Sequence, residues 1–253
     1  MALFSRTSNP TLSDSRFEQY VGIEVSRSEQ MTIEGTINKT ALLLAIIVGI
    51  TVFMFYRVIS TGDMSLVSIA MPMGAIGGFI TAIVIIFKNT WANYLAPVYA
   101  IFEGFFIGAI SIYFEASYPG IAFQAAGLTF GTMGALLFLY RSGIIRATEQ
   151  FKAGIVAATM GIALFYLLTF ILSIFGIQMP YIHQNGLIGI GFSLFVVVIA
   201  ALNLVLDFDF IERGSEQGLP KHMEWYGAFG LVVTLIWLYV EILRLLSKLQ
   251  SRD

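Results

Sequence analysis

The sequence predicts an all-α membrane protein, a bundle of seven transmembrane helices, on three observations. Of 253 residues, 57% are hydrophobic and only 12% are charged, against roughly 45–50% and roughly 25% in soluble domains. Seven apolar runs are each long enough to cross about 30 Å of hydrocarbon as a helix of about 20 residues. The breaks between them are short, polar and rich in turn formers. Backbone groups in lipid must be paired within the segment, and these runs are too uniformly apolar for the alternating strands of a barrel.

Along the chain, residues 1–37 are mixed in charge and rich in Ser, Thr and Glu. They read as a polar cytoplasmic tail without a core of its own, and not as a cleavable signal, whose apolar stretch belongs within the first ~15–30 residues. A transmembrane domain follows over 38–250. Its spans are predicted at 40–58, 66–87, 92–114, 120–140, 153–176, 187–208 and 225–246. The breaks run through Thr61-Gly62-Asp63, Lys88-Asn89-Thr90, Ser117-Tyr118-Pro119-Gly120, Arg141 to Lys152, Gln178 to Gly186 and Arg213 to Glu224. Glycines punctuate the spans (Gly74, Gly77 and Gly78; Gly104 and Gly108; Gly127, Gly131 and Gly134; Gly186, Gly189 and Gly191), and small residues of this kind let helices pack closely. There is no cysteine, which removes disulfides and thiolate metal sites.

Basic residues set the orientation. With the N-terminus in the cytoplasm, the inner segments carry Arg6, Arg16, Arg27, Lys39, Lys88, Arg141, Arg146, Lys152, Arg213 and Lys221. The outer ones carry Arg57, Arg244, Lys248 and Arg252. The basic C-terminus is the awkward part, because seven crossings put it outside.

Charge inside the spans carries the functional argument. A carboxylate at the bilayer centre costs roughly 2.5–3.5 kcal/mol on the insertion scale, yet Glu103 sits mid-run in the third span, Asp207 late in the sixth and Glu241 late in the seventh. Asn203 lies one turn before Asp207 and shares its face, while Asp209 points nearly the opposite way and, with Glu212, reads as part of the solvated helix end. Each acid also has a plain structural reading, Glu241 as the partner of Arg244 one turn on. If two such acids meet, they share a proton and titrate as a pair. Deprotonation leaves two repelling anions that must separate, admit water or take a cation, and Ca²⁺ tolerates irregular carboxylate sites. Asp207 and Glu241 are thus candidates at once for a pH-sensing gate and for Ca²⁺ ligands, with Glu103, Asn203 and Asp209 as candidates along an ion pathway.

The run Ala-Leu-Asn-Leu-Val-Leu-Asp-Phe-Asp-Phe-Ile-Glu, followed by Trp-Leu-Tyr-Val-Glu-Ile-Leu-Arg-Leu-Leu, resembles the last two spans of the Bax-inhibitor/YccA family, also called the transmembrane Bax inhibitor motif family, and in particular a bacterial YccA-like branch. Asp207 matches an aspartate late in the sixth span, and Glu241 replaces an aspartate of the seventh. The resemblance implies a bundle with a central seventh helix, wrapped by the first three and the next three spans. It implies a pH-sensitive Ca²⁺ leak gated by the carboxyl pair, a bacterial inner-membrane location, and for such members a link to a membrane-bound protease. In some relatives a basic residue closes the second span near the acids; Lys88 is the nearest match. Some also carry an acid within the second span; here there is none, and Glu103 is the candidate substitute. The stretch between Asp207 and Glu241 is longer than in compact members, so the extra residues must lengthen a loop or helix ends if both carboxyls are to reach one depth.

The expected activity is a passive, proton-gated cation leak with Ca²⁺ as the transported ion and no permanently bound cofactor. Its partners are the lipid bilayer, protons and Ca²⁺, with no nucleic acid. The alternative is a membrane-embedded regulator of a partner complex such as a membrane protease, acting through its tail or basic loops. An enzyme is not expected: His183 and His222 lie in loops, no His-Glu-x-x-His motif exists, and Gly191-Phe192-Ser193 lacks the second glycine of a nucleophile elbow.

Overall fold

A computed structural model describes residues 29–176 and 186–251. Seven helices in it are long and apolar enough to cross a membrane: α1 Ile33–Thr61, α2 Ser65–Phe87, α3 Ala92–Ser117, α4 Ile121–Arg141, α5 Glu149–Ile174, α6 Leu187–Glu216 and α7 Met223–Gln250. A 3₁₀ turn, Asn89–Trp91, leads into α3. Among the described residues there is no strand, only an isolated antiparallel bridge between Gln30 and Pro220. Most of the tail (1–28), His183 and Arg252 lie outside the described residues.

Local chemistry sets the helix ends. Thr32 caps α1 by accepting the Gly35 N–H at 2.9 Å, and Glu34 places an acid in the first turn. The helix therefore starts ahead of the predicted first span and takes in residues 33–37, assigned to the tail by sequence. It stops at Gly62, whose φ of 66° lets its N–H return to the Val58 carbonyl. Asp63 then accepts both the backbone N–H and the hydroxyl of Ser65 at 2.8 Å, bonds that hold its carboxyl below the ordinary carboxylate value. Gly120, at φ 86°, opens α4, and the Glu115 carboxylate at the end of α3 accepts the N–H groups of Gly120 and Ala122. Thr148 caps α5. The predicted break from Arg213 to Glu224 shrinks, because α6 runs on to Glu216 and α7 begins at Met223.

The seventh helix is central, packing on α1, α3, α4 and α6. Leu238, Leu235, Val232, Ala228 and Phe229 on it are all within 3% of full burial. The outer helices are not two equal triplets around it. The second helix packs chiefly on α3, and α5 on α6, so both sit on the flanks with broad lipid-facing sides.

Glycines explain the tight pairs. A Cβ at Gly74 would lie 2.6 Å from the Phe102 carbonyl oxygen and the Phe106 nitrogen, and one at Gly108 would lie 2.6 Å from Met54 Sδ. Gly77, Gly78 and Gly104 are equally crowded, so small residues bring α2, α1 and α3 together. Gly127, Gly131, Gly134, Gly186 and Gly191 face open space instead. They are not the packing residues the sequence pattern suggested.

Candidate functional site

Contacts along the central helices fix the depth of each buried acid. The near end of the bundle is taken as the end where α1 and α7 begin. Near the far end, Lys248 Nζ donates to the Gly189 carbonyl at 3.1 Å and to Ser193 Oγ at 2.8 Å. With Lys248 level with Gly189 and Ser193, Glu241 lies opposite about Val198 of the antiparallel α6. Asp207 then lies some nine residues nearer the other face, about 13 Å at a rise of about 1.5 Å per residue. The expected meeting of Asp207 and Glu241 therefore does not occur. The stretch between them is taken up mostly by the end of α6 and the start of α7, which does not bring the two acids level. A single Ca²⁺, with ligands at about 2.3–2.6 Å, cannot bridge the two, and among the described residues no three His, Asp or Glu side chains converge as a metal site.

Glu241, 2% exposed, accepts the Tyr166 hydroxyl of α5, at 3.1 Å to Oε1 and 3.3 Å to Oε2, and Arg244 Nη1 at 3.1 Å. The guanidinium also lies over the Tyr166 ring, 5.7 Å from its centroid. The plain reading of Glu241 as the partner of Arg244 is thus correct, with Tyr166 as the member that sequence did not identify. The basic C-terminus has a physical account too: Arg244 and Lys248 are both held against the bundle.

Asp207 is fully buried on α6. Asn203, one turn away, spends its amide N–H groups on Thr159 Oγ1 of α5 at 2.9 Å and on the Ile199 carbonyl at 2.8 Å. Glu103, 8% exposed, sits against Gly78 of α2, where a Cβ would come 2.5 Å from its Oε1. The Ser111–Tyr239 hydrogen bond at 2.6 Å and the edge-on Tyr99–Phe229 pair at 4.9 Å fix the register of α3 on α7. They place Glu103 level with about Val232, the depth of Asp207. The three carboxyls within the spans therefore occupy two levels, Glu103 and Asp207 near the middle and Glu241 further toward the far end.

Two other predicted residues go elsewhere. Asp209 is not a solvated helix end: it pairs with Lys152 of α5 at 2.9 Å and with Arg213 at 2.8 Å, and the Lys152 side chain is only 4% exposed. The neighbouring Glu212 accepts the Tyr140 hydroxyl. Lys88 is exposed at the near end with its ammonium 4.3 Å from the centre of the Trp91 ring, well short of both acid levels.

Sequence reasoning also missed a clasp. Glu224, 1% exposed at the start of α7, pairs with Lys39 and accepts the Thr32 N–H at 3.0 Å and the Thr32 hydroxyl at 2.9 Å. Beside it, Met31 N donates to the Leu219 carbonyl at 2.6 Å and Lys221 N to the Glu29 carbonyl at 2.7 Å. A glutamate in the first turn of a helix is a common sight, so Glu224 carried no signal of a tertiary partner.

A family model, Bax inhibitor 1 like, matches residues 9–251. The chain belongs to the Bax inhibitor 1-like family. The match covers the seven-helix bundle and makes this an integral membrane protein of that family. No curated protein and no solved structure gives a significant match.

Proposed function

We propose that this member of the Bax inhibitor 1-like family is a non-enzymatic, proton-sensitive cation leak, with Ca²⁺ as the transported ion, in which buried carboxyls act in series. The observation that carries this reading is the burial of Asp207 and Glu241, 0% and 2% exposed, on the two neighbouring helices at the heart of an otherwise apolar bundle. Ionisable groups at such depth are costly to maintain and mark ion and proton pathways. A cation passing them would meet the level of Asp207 and Glu103, then that of Glu241 about 13 Å on, with Arg244 and Tyr166 holding the second carboxylate until the ion displaces them. Protonation of either level removes the charge that attracts the ion, which makes the leak pH-dependent.

The near end carries Lys39, Lys88, Arg141, Arg146, Lys152, Arg213 and Lys221, against Arg57, Arg244 and Lys248 at the far end. This bias supports a cytoplasmic near end, and the YccA-like resemblance supports a bacterial inner membrane. The test is Ca²⁺ entry into liposomes holding the purified protein, followed across pH 5 to 8. A pH-dependent flux reduced by Asp207→Asn and by Glu241→Gln is expected; a flux indifferent to both substitutions rejects the leak.

A second reading, regulation of a partner such as a membrane protease, is favoured by the clasp, which couples the segment before α1 to the α6–α7 turn. Deleting residues 1–28 separates the two readings: a leak survives the truncation, and a regulator working through its tail loses its effect.

A further inference from the structure

A deep groove on the lipid-facing side is unrelated to the acids. It opens between α1 and α4, which pack on α3 and α7 rather than on each other, and encloses about 540 Å³. That volume falls within the range of about 300–1,000 Å³ usual for ligand sites. Its walls include Val48 and Val52 of α1 and Ala122 and Ala126 of α4, and its floor reaches Leu235 and Tyr239 of the central helix.

From this groove we infer a binding site for one acyl chain of a membrane phospholipid. Three observations commit it to that occupant. The groove lies within the membrane-spanning lengths of its helices, so hydrocarbon is the medium at its mouth. Its extent along α1, from Leu44 to Phe55, is about 16 Å at the helical rise, close to one leaflet, half of about 30 Å. Every polar side chain on its walls is already bonded within the protein. Ser111 and Tyr239 bond each other at 2.6 Å, Thr51 donates to the Gly104 carbonyl at 3.4 Å, and Thr129 donates to the Ala125 carbonyl at 2.8 Å. Glu115 accepts the Gly120 and Ala122 amides. No polar side chain on the walls therefore loses a hydrogen bond when a plain hydrocarbon chain, which needs no partner, fills the groove.

The chain enters from the leaflet at the far end, with its head near Glu115 and its terminal methyl near Leu44 and Leu235. It differs from bulk lipid in touching the central helix, which a chain on the open faces of α2 or α5 cannot do. The inference does not depend on ion conduction.

The test uses full-length protein in detergent, given equimolar phosphatidylcholine with a photoactivatable diazirine in one acyl chain, then irradiated and digested. Adducts on residues 44–55 and 122–130 that saturate near one lipid per chain are expected. Ala126→Phe, which fills the groove, should lower them about ten-fold, and Ala163→Phe on the exposed side of α5 should leave them unchanged. Ala122→Phe serves as a second filling variant, and a retained thermal transition shows that each variant is folded. Labelling spread over all lipid-facing helices without saturation, or labelling that persists in a folded filling variant, overturns the site.

Discussion

The Tyr166 hydroxyl of α5 donates to the Glu241 carboxylate of α7, 3.1 Å from Oε1. This bond reaches past α6, the helix on which α5 chiefly packs, and ties a flank of the bundle to its centre. The acceptor is a carboxylate shielded from solvent, so a hydrogen bond to it is worth more than one between neutral groups, about 1.5–3 kcal/mol. Tyr166→Phe should keep the ring contact with Phe192, 6.2 Å between centroids, and lose only the hydroxyl. The expected result is a thermal transition in detergent lowered by about 4–8 °C. An unchanged transition would mean that Arg244 alone satisfies Glu241.

Two acids about 13 Å apart in depth act independently, whereas two acids sharing a proton do not. Substitutions more than about 7–10 Å apart add to within about 0.3–0.5 kcal/mol. Asp207→Asn, Glu241→Gln and their combination therefore form a double-mutant cycle on stability. Near-additive losses are expected. A coupling well above 1 kcal/mol would restore the shared-proton pair and remove the two-level arrangement.

The bundle was legible in the sequence because each span must satisfy its own backbone in lipid and so must be a long apolar run. The buried acids were legible for the same reason, since Glu103, Asp207 and Glu241 stand out against such runs. Their relative depth was not, because it depends on where α6 ends and α7 begins. Arg213 and Glu216 are charged yet helical, and polarity alone placed them in the break. Likewise Thr32 was visible as a helix cap only once the start of α1 was known, and nothing local tied it to Glu224, 192 residues away.

That long-range tie predicts a local effect. Glu224 is shielded while Lys39 is 19% exposed, so removing the carboxylate frees the lysine to water but leaves the Thr32 N–H without its acceptor. Glu224→Ala should cost about 2–4 kcal/mol and should raise amide hydrogen exchange at residues 30–36 well before the rest of α1. Uniform exchange along α1 in the variant would show that the backbone pairing of Met31 with Leu219 holds the segment by itself.

Glycines at two positions should respond in opposite directions. At Gly74 an added methyl meets the backbone of α3 at 2.6 Å. Backbone in a helix cannot yield as a side-chain tip can, so Gly74→Ala must push α2 away from α3, with an overpacking cost of about 1–3 kcal/mol. At Gly131, inside α4, an added Cβ finds nothing within 4 Å, and alanine is the better helix former by about 1 kcal/mol. Gly131→Ala should therefore leave the thermal transition unchanged or raise it slightly, while Gly74→Ala lowers it. Equal losses at both sites would mean that Gly131 faces a partner, such as a second copy of the chain, against the open face of α4.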